Sequence, residues 1–369
     1  MALSATEPVM LIKRSLTMSV ELTAAGAFGL LGIVTHITFE LDAMTCAEMK
    51  PRKVDIGLAI PPIGKDDIPK GRQSDWFSSE NASKKLADAK VDFDHRAAND
   101  YYSEWFWFTY QRKAWEQTFL QWIQGWLGGV ITTVPLFNAL PSYWQAQLLA
   151  TNGMAALPPT QGEDDEETII TALPNALHFR RGIQNTRVRD TEFEIQIPPR
   201  KDDPTKPDFS IVQRAWWDVI KLVYNDAEDK DDPSSPMRVT LELRIMGGSD
   251  VLMAPQRGNN LGTASIEVLT IPDAVADNEW INFIQKVCEL WMSYGDELNV
   301  RPRWAKEWDG LQLNGQDART YLKNEAYPKQ IKDFRTALEK IGWPHGWGLA
   351  ELRSRFSNEL WDKIIFEVV

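Results

Sequence analysis

Cysteine is scarce in this 369-residue chain: Cys46 and Cys288 lie far apart, with none of the paired spacing of a disulfide framework or a zinc site. A reducing, intracellular compartment is therefore expected. A dense Lys/Arg cluster is also missing, and the formal net charge of −12 repels phosphate backbones and anionic lipid surfaces. Nucleic acid is not an expected partner. No long apolar run exists; the most apolar stretch, Thr23 to Val34, is about a dozen residues and glycine-rich, short of the ~20 needed to span a bilayer as a helix. Met1 to Lys13 offers Glu7 and Pro8 where a secretion signal needs a basic start and an unbroken apolar core, so none is expected.

What is present is a core-forming composition: 43% hydrophobic residues and sixteen tryptophans, clustered as Trp105 with Trp107, Trp122 with Trp126, and Trp216 with Trp217. Each indole needs an apolar bed and a partner for its N–H. They read as an aromatic core, or in a few cases as the lining of a pocket for a bulky or sugar-like ligand.

Periodicity divides the chain. Gly26 to Gly32 is a glycine-punctuated turn feeding an alternating segment, Ile33 to Leu41, that reads as a strand. A boundary is expected near Pro51, with a remnant domain over 1–50 and a larger domain over 51–369. Long loops are expected at 51–94, 151–168 and 226–236; the acidic run Glu163–Glu167 belongs to the second and reads as solvated, with no metal site expected. Strands are expected at Tyr101–Tyr110, Arg187–Ile197, Arg238–Met246, Thr263–Ile271 and, briefly, Asn299–Trp304. Helices are expected at Gln111–Trp126, Asp208–Tyr224 and Asn278–Tyr294. That order predicts an α+β fold, an antiparallel or mixed sheet with helices packed on one face.

The clearest local signal is Val239–Met246. A period of two puts Thr240, Glu242, Arg244 and Met246 on one face, and roughly 6.5 to 7 Å separates the Cα atoms of Glu242 and Arg244. Both charges can address one small ligand. Periodicity alone favours an ordinary solvated face.

Reading on from Glu242-Leu-Arg244 through Met246-Gly-Gly-Ser-Asp250, Met253-Ala-Pro255, Gly258 and Glu267-Val268 to Arg301-Pro-Arg-Trp-Ala-Lys306, the sequence resembles the vanillyl-alcohol-oxidase-type FAD-linked oxidases. Within them it looks most like the D-arabinono-1,4-lactone, gulonolactone and alditol oxidase branch. The resemblance implies that Glu242, Arg244 and Lys306 are catalytic, Lys306 also meeting the flavin. It implies that Gly29, Gly32, Ile33 and Val34 form the last cofactor-approaching turn of an FAD-binding domain, where glycine lets backbone come close. Glu104, Ser265 and Trp304 are weaker candidates for the substrate side. In the family's Arg-Pro-His-Trp-Gly-Lys segment, the His and Gly are replaced here by Arg303 and Ala305, and a family histidine falls at Ser265. None of His36, His95, His178 and His345 matches a flavin-linking histidine.

The expected activity is oxidation of a CH–OH group of a sugar lactone, an alditol or a bulkier alcohol such as a sterol, with O2 as acceptor and H2O2 as product. Most of the family's FAD domain is not matched. A non-catalytic substrate-binding module is therefore the alternative, and association with a missing FAD domain or with itself is expected. By family resemblance the compartment is cytoplasmic or, through membrane association, mitochondrial.

Overall fold

A computed structural model of the chain describes residues 23–36, 46–49, 52–70, 73, 81–100, 103–109, 113–116, 140–156, 169–172, 187–225, 235–295 and 298–366. The chain forms two compact units. One gathers residues 1–39, 248–259 and 309–369; the other holds 40–247 and 260–308. The segment 309–369, expected to continue the larger domain, thus groups with the N-terminal segment.

The larger unit is built on an antiparallel seven-stranded sheet. Its strands are β2 (Arg52–Asp55), β3 (Glu104–Phe108), β4 (Lys113–Glu116), β6 (Arg189–Gln196), β7 (Thr240–Met246), β8 (Thr263–Thr270) and β9 (Val300–Pro302), in the order β2-β4-β3-β7-β8-β6-β9. A separate pair joins β1 (Cys46–Met49) to β5 (Ile169–Ala172). The α+β class expected from the sequence is the one observed, with every pairing of the large sheet antiparallel.

Register and pleat together assign two faces. Trp105 and Trp107 lie opposite Leu243 and Leu241, these opposite Ile266 and Val268, and Ile266 opposite Phe193. This apolar face takes the helices α1 (Ala82–Asn99), α3 (Ser210–Asn225) and α4 (Asp277–Met292), α2 being Ser142–Ala156. Phe93 of α1 meets Trp105 edge-on at 5.6 Å, Tyr224 of α3 lies 6.0 Å from Trp107, and Trp291 of α4 lies 5.5 Å from Phe193. Helix α4 fits the purpose because Trp280, Phe283, Ile284, Val287, Cys288 and Trp291 recur at helical spacing and are all buried. Several of the tryptophans therefore form core, and each fully buried one contributes several kcal/mol of burial, roughly 3–5 by the cost of deleting such a ring.

Several sequence expectations need correction. Lys113–Glu116, expected within a helix from Gln111 to Trp126, is a strand paired on both sides, with β2 and β3. The backbone hydrogen bonds of two neighbouring strands outweighed the helical spacing of its aromatics; 117–126 lies outside the described residues. The stretch 51–94 is not one long loop: it contains β2 and the start of α1, eighteen residues long. Likewise Thr151–Ala156 completes α2. Of the strand expected at Ile33–Leu41, residues 33–36 carry no strand, and 37–41 lies outside the described residues, as does the acidic run 163–167.

In the smaller unit a hairpin, Gln312–Leu313 with Gln316–Asp317, turns on Asn314 (φ 50°) and Gly315 (φ 74°). Two left-handed residues are what a tight two-residue hairpin demands, and Asn-Gly supplies them at least cost. Helices α5 (Pro328–Gly342), α6 (Leu349–Phe356) and α7 (Glu359–Ile364) follow. Phe28 stacks on Trp361 at 4.3 Å and meets Phe334 edge-on at 6.0 Å.

Candidate functional site

The second face of the sheet is chemically unlike the first. In one row across three adjacent strands stand Glu242, Glu267 and Glu192, each opposite the next; in the neighbouring row stand Glu104, Arg244, Ser265, Glu194 and Arg301. Like charges directly opposite are destabilising, and these are buried: Glu192 and Glu194 are 0% exposed, Glu104 and Glu267 3%, Glu242 8%. Such a row persists if cations meet it or some of its acids hold their protons.

Arg244 is the first of these cations. Its guanidinium lies 2.6 Å from Glu104, 3.1 Å from Glu242, 3.5 Å from Glu267 and 3.7 Å from Glu192. A planar fork with several donors is the side chain suited to joining carboxylates from neighbouring strands. Thr240 Oγ1 donates to the remaining oxygen of Glu242 at 2.7 Å.

The other cations arrive from the turn after β9. Arg303 lies 2.7 Å from Glu192, and Lys306 lies 2.7 Å from Asp190, 2.5 Å from Glu267 and 3.8 Å from Glu192. Backbone bonds lash this turn to β6: Arg303 N–H donates to the Glu192 carbonyl at 2.9 Å and Glu307 N–H to that of Asp190 at 3.0 Å. Arg189 grips the Glu307 carboxylate with three N–H bonds of 2.8 to 3.1 Å, and Thr191 Oγ1 donates to the Glu307 carbonyl at 2.6 Å. Lys306 is thus delivered to the face by an anchored loop.

The electrostatics follow from burial. Desolvation, reinforced by Glu192, pushes the Glu194 carboxyl up to about 7. Burial raises Glu242, and burial with the charges of Glu242 and Glu192 raises Glu267 well above the ordinary carboxylate range. For Lys306 burial opposes the charge, but Glu267 and Asp190 prevail and the ammonium is held above its usual pKa. Among the described residues, no group of His, Cys, Asp and Glu is arranged to hold a metal ion, and no helix is long and apolar enough to cross a membrane.

The structure therefore brings Glu104, Glu242, Arg244, Ser265 and Lys306 into one connected network; Ser265 joins it by donating its hydroxyl to Glu192. Trp304 lies edge-on to Trp308 at 5.6 Å. Gly29, Gly32, Ile33 and Val34 belong to the smaller unit. There Gly29 (φ 75°) and Gly32 (φ 121°) adopt conformations that favour glycine, while Ile33 and Val34 are 86% and 72% exposed. Sequence reasoning did not single out Asp190, Glu192, Glu194 and Glu267 as site residues, and met Arg303 only as a departure from the family segment. The available signal was acidic residues at alternate positions of otherwise apolar strands.

No protein-family model and no curated protein matches the chain. Among solved structures, one described as "Solvent-stable cholesterol oxidase" is similar, with a TM-score of 0.50 at 13% sequence identity, over 86% of this chain. The chain spans 60% of that structure's length. The likeness is one of architecture and supports the α+β fold. It gives the lactone and alditol branch no preference.

Proposed function

We propose that this chain is the substrate-binding part of an FAD-linked oxidase acting on a CH–OH group, with O2 as acceptor and H2O2 as product. The observation that carries the reading is the convergence of Glu104, Glu242, Arg244 and Lys306 in one ion network on one sheet face. A purely structural sheet would bury apolar side chains there at far lower cost.

The residues present suit a flavin. The carboxylates are buried, whereas the side chains of Arg244, Lys306 and Arg303 remain 19%, 22% and 41% exposed. Cations are what the face offers to a ring system rich in carbonyl and imine acceptors. Arg244 and Lys306 would hold such a ring. FAD, when bound, supplies the two-electron acceptor and passes the electrons to dioxygen. Glu242 takes the proton of the substrate hydroxyl onto its carboxylate, and burial makes it a stronger base than a solvated glutamate. Arg244 would stabilise negative charge on the substrate oxygen, and Lys306 would offset negative charge on the cofactor. Glu104, Ser265 and Trp304 serve the substrate side.

Two substrate classes compete. The partly exposed cations favour a ligand rich in oxygen acceptors, which supports a sugar lactone or alditol. The name of the similar structure supports a sterol or another bulky alcohol equally well. A non-catalytic module that binds such a compound without FAD is the remaining alternative. One titration separates them: FAD is added to the purified chain, the flavin absorbance of the washed protein is read, and peroxide is assayed with lactones, alditols and detergent-dispersed sterols. Retained colour with substrate-dependent peroxide is expected. Colourless protein under every condition would remove the catalytic reading for this chain.

A further inference from the structure

We infer that Glu267 is a positioning residue of this site: its carboxylate bridges the Lys306 ammonium and the Arg244 guanidinium and sets the separation of the two cations. The inference rests on the oxidase reading for what the cations do, and on geometry alone for how they are held.

The two cations come from unconnected places, Arg244 from β7 and Lys306 from the turn after β9. Glu267 stands on β8, between β7 and β6, and is 3% exposed. One of its oxygens, Oε1, lies 2.5 Å from Lys306 Nζ; the other, Oε2, lies 3.5 Å from an Arg244 nitrogen. The side chain is thus divided between the cations, one oxygen to each. Glu192 also reaches both, but at 3.8 and 3.7 Å, and its Oε1 already accepts from Arg303 and Ser265. Asp190 touches Lys306, and Glu104 and Glu242 touch Arg244; each anchors one cation from its own side. Glu267 is the close tie between the two halves.

The tie is sensitive to protonation because of what faces it. Glu242 and Arg244 face it from β7, Asp190 and Glu192 from β6, and Lys306 from the turn. Burial and the flanking glutamates favour the neutral acid, while the cations favour the carboxylate. A protonated Glu267 has lost the charge that holds the ammonium, so the bridge fails at a pH well above that at which an exposed glutamate titrates.

The test reads Lys306 directly. The full chain is acylated with trace acetic anhydride across a pH series, and modification of Lys306 is quantified by peptide mass spectrometry. Only the neutral amine reacts, so the midpoint reports how firmly the ammonium is held. In Glu267→Gln the midpoint should fall, with about tenfold more acylation below it for each pH unit of the fall. Glu192→Gln should shift it less. An unchanged midpoint in folded Glu267→Gln protein, or a larger shift in Glu192→Gln, would overturn the assignment. Should Glu267→Gln not fold, Glu267→Asp, which keeps the charge and withdraws it by one methylene, should move the midpoint the same way by less; no movement would overturn the bridge.

With FAD and an oxidisable alcohol, Glu267→Gln should lower kcat about tenfold or more while leaving KM within a factor of about two, because cation placement matters in the transition state. A chain that oxidises nothing, yet whose Lys306 midpoint still falls in Glu267→Gln, would refute the oxidase reading and leave the bridge standing.

Discussion

Replacing Arg244 by Met keeps an unbranched stem in place and removes the charge, and the effect on stability can be worked out from its surroundings. The guanidinium is in ion-pair range of Glu104, Glu242, Glu267 and Glu192, all nearly or fully buried. A pair at 4 Å gains about 4 kcal/mol at an effective dielectric of 20. Desolvation of both partners offsets most of that, so the pairs add little net stability while they are intact. Removing one partner is different, because the carboxylates remain in their dry surroundings without compensation; that class of change costs about 3–5 kcal/mol. With several acids stranded together, Arg244→Met should fall at the upper end of that range. Urea unfolding followed by tryptophan fluorescence at pH 7.5 measures it. The deficit should narrow at pH 5, where stranded carboxylates take up protons, and Glu104→Gln in the same chain should restore part of the loss. A deficit below about 1 kcal/mol, or a double variant no more stable than the single one, would refute the reasoning, since it would mean that water already screens the face.

Glu194 gives a pH prediction of definite sign. Its carboxyl is raised from 4.5 to about 7 in the fold, so the protonated form is favoured there, and its contribution is complete below pH 4.5 and lost as pH rises through 7. Glu194→Gln should therefore match the parent near pH 4.5 and exceed it by ~3 kcal/mol at pH 8, in paired denaturation curves; equal curves at pH 8 would contradict the assignment. Glu307→Ala removes the three-bond grip of Arg189 on the Lys306 turn. It should cost about 1.5–3 kcal/mol and raise amide hydrogen exchange at 303–308, where unchanged exchange would show that the backbone bonds alone hold the turn.

The alternation in Val239–Met246 was enough to place Glu242 and Arg244 on one face, because a strand's period is a local property of the backbone. The helical stripes of α3 and α4 were legible for the same reason, to within a residue or two at either end. Lys113–Glu116 was not legible, since its helical spacing was overruled by pairing with β3 just before it and with β2 far upstream. Nor was the row of Glu242, Glu267 and Glu192. Glu267 and Glu192 are unremarkable in their own strands, and only the register of β7, β8 and β6 sets them in one row with Glu242.

What the sequence determined by itself was therefore short-range: the strand and helix periods, the shared face of Glu242 and Arg244, the turn glycines, and the flavin-oxidase resemblance. The tertiary structure decided which distant acids meet Arg244 and Lys306, and that one face of the sheet is apolar while the other is a buried ion network. The physical reason is that a period lies within a few residues, whereas a register is chosen by the backbone bonds and burial of the whole sheet at once.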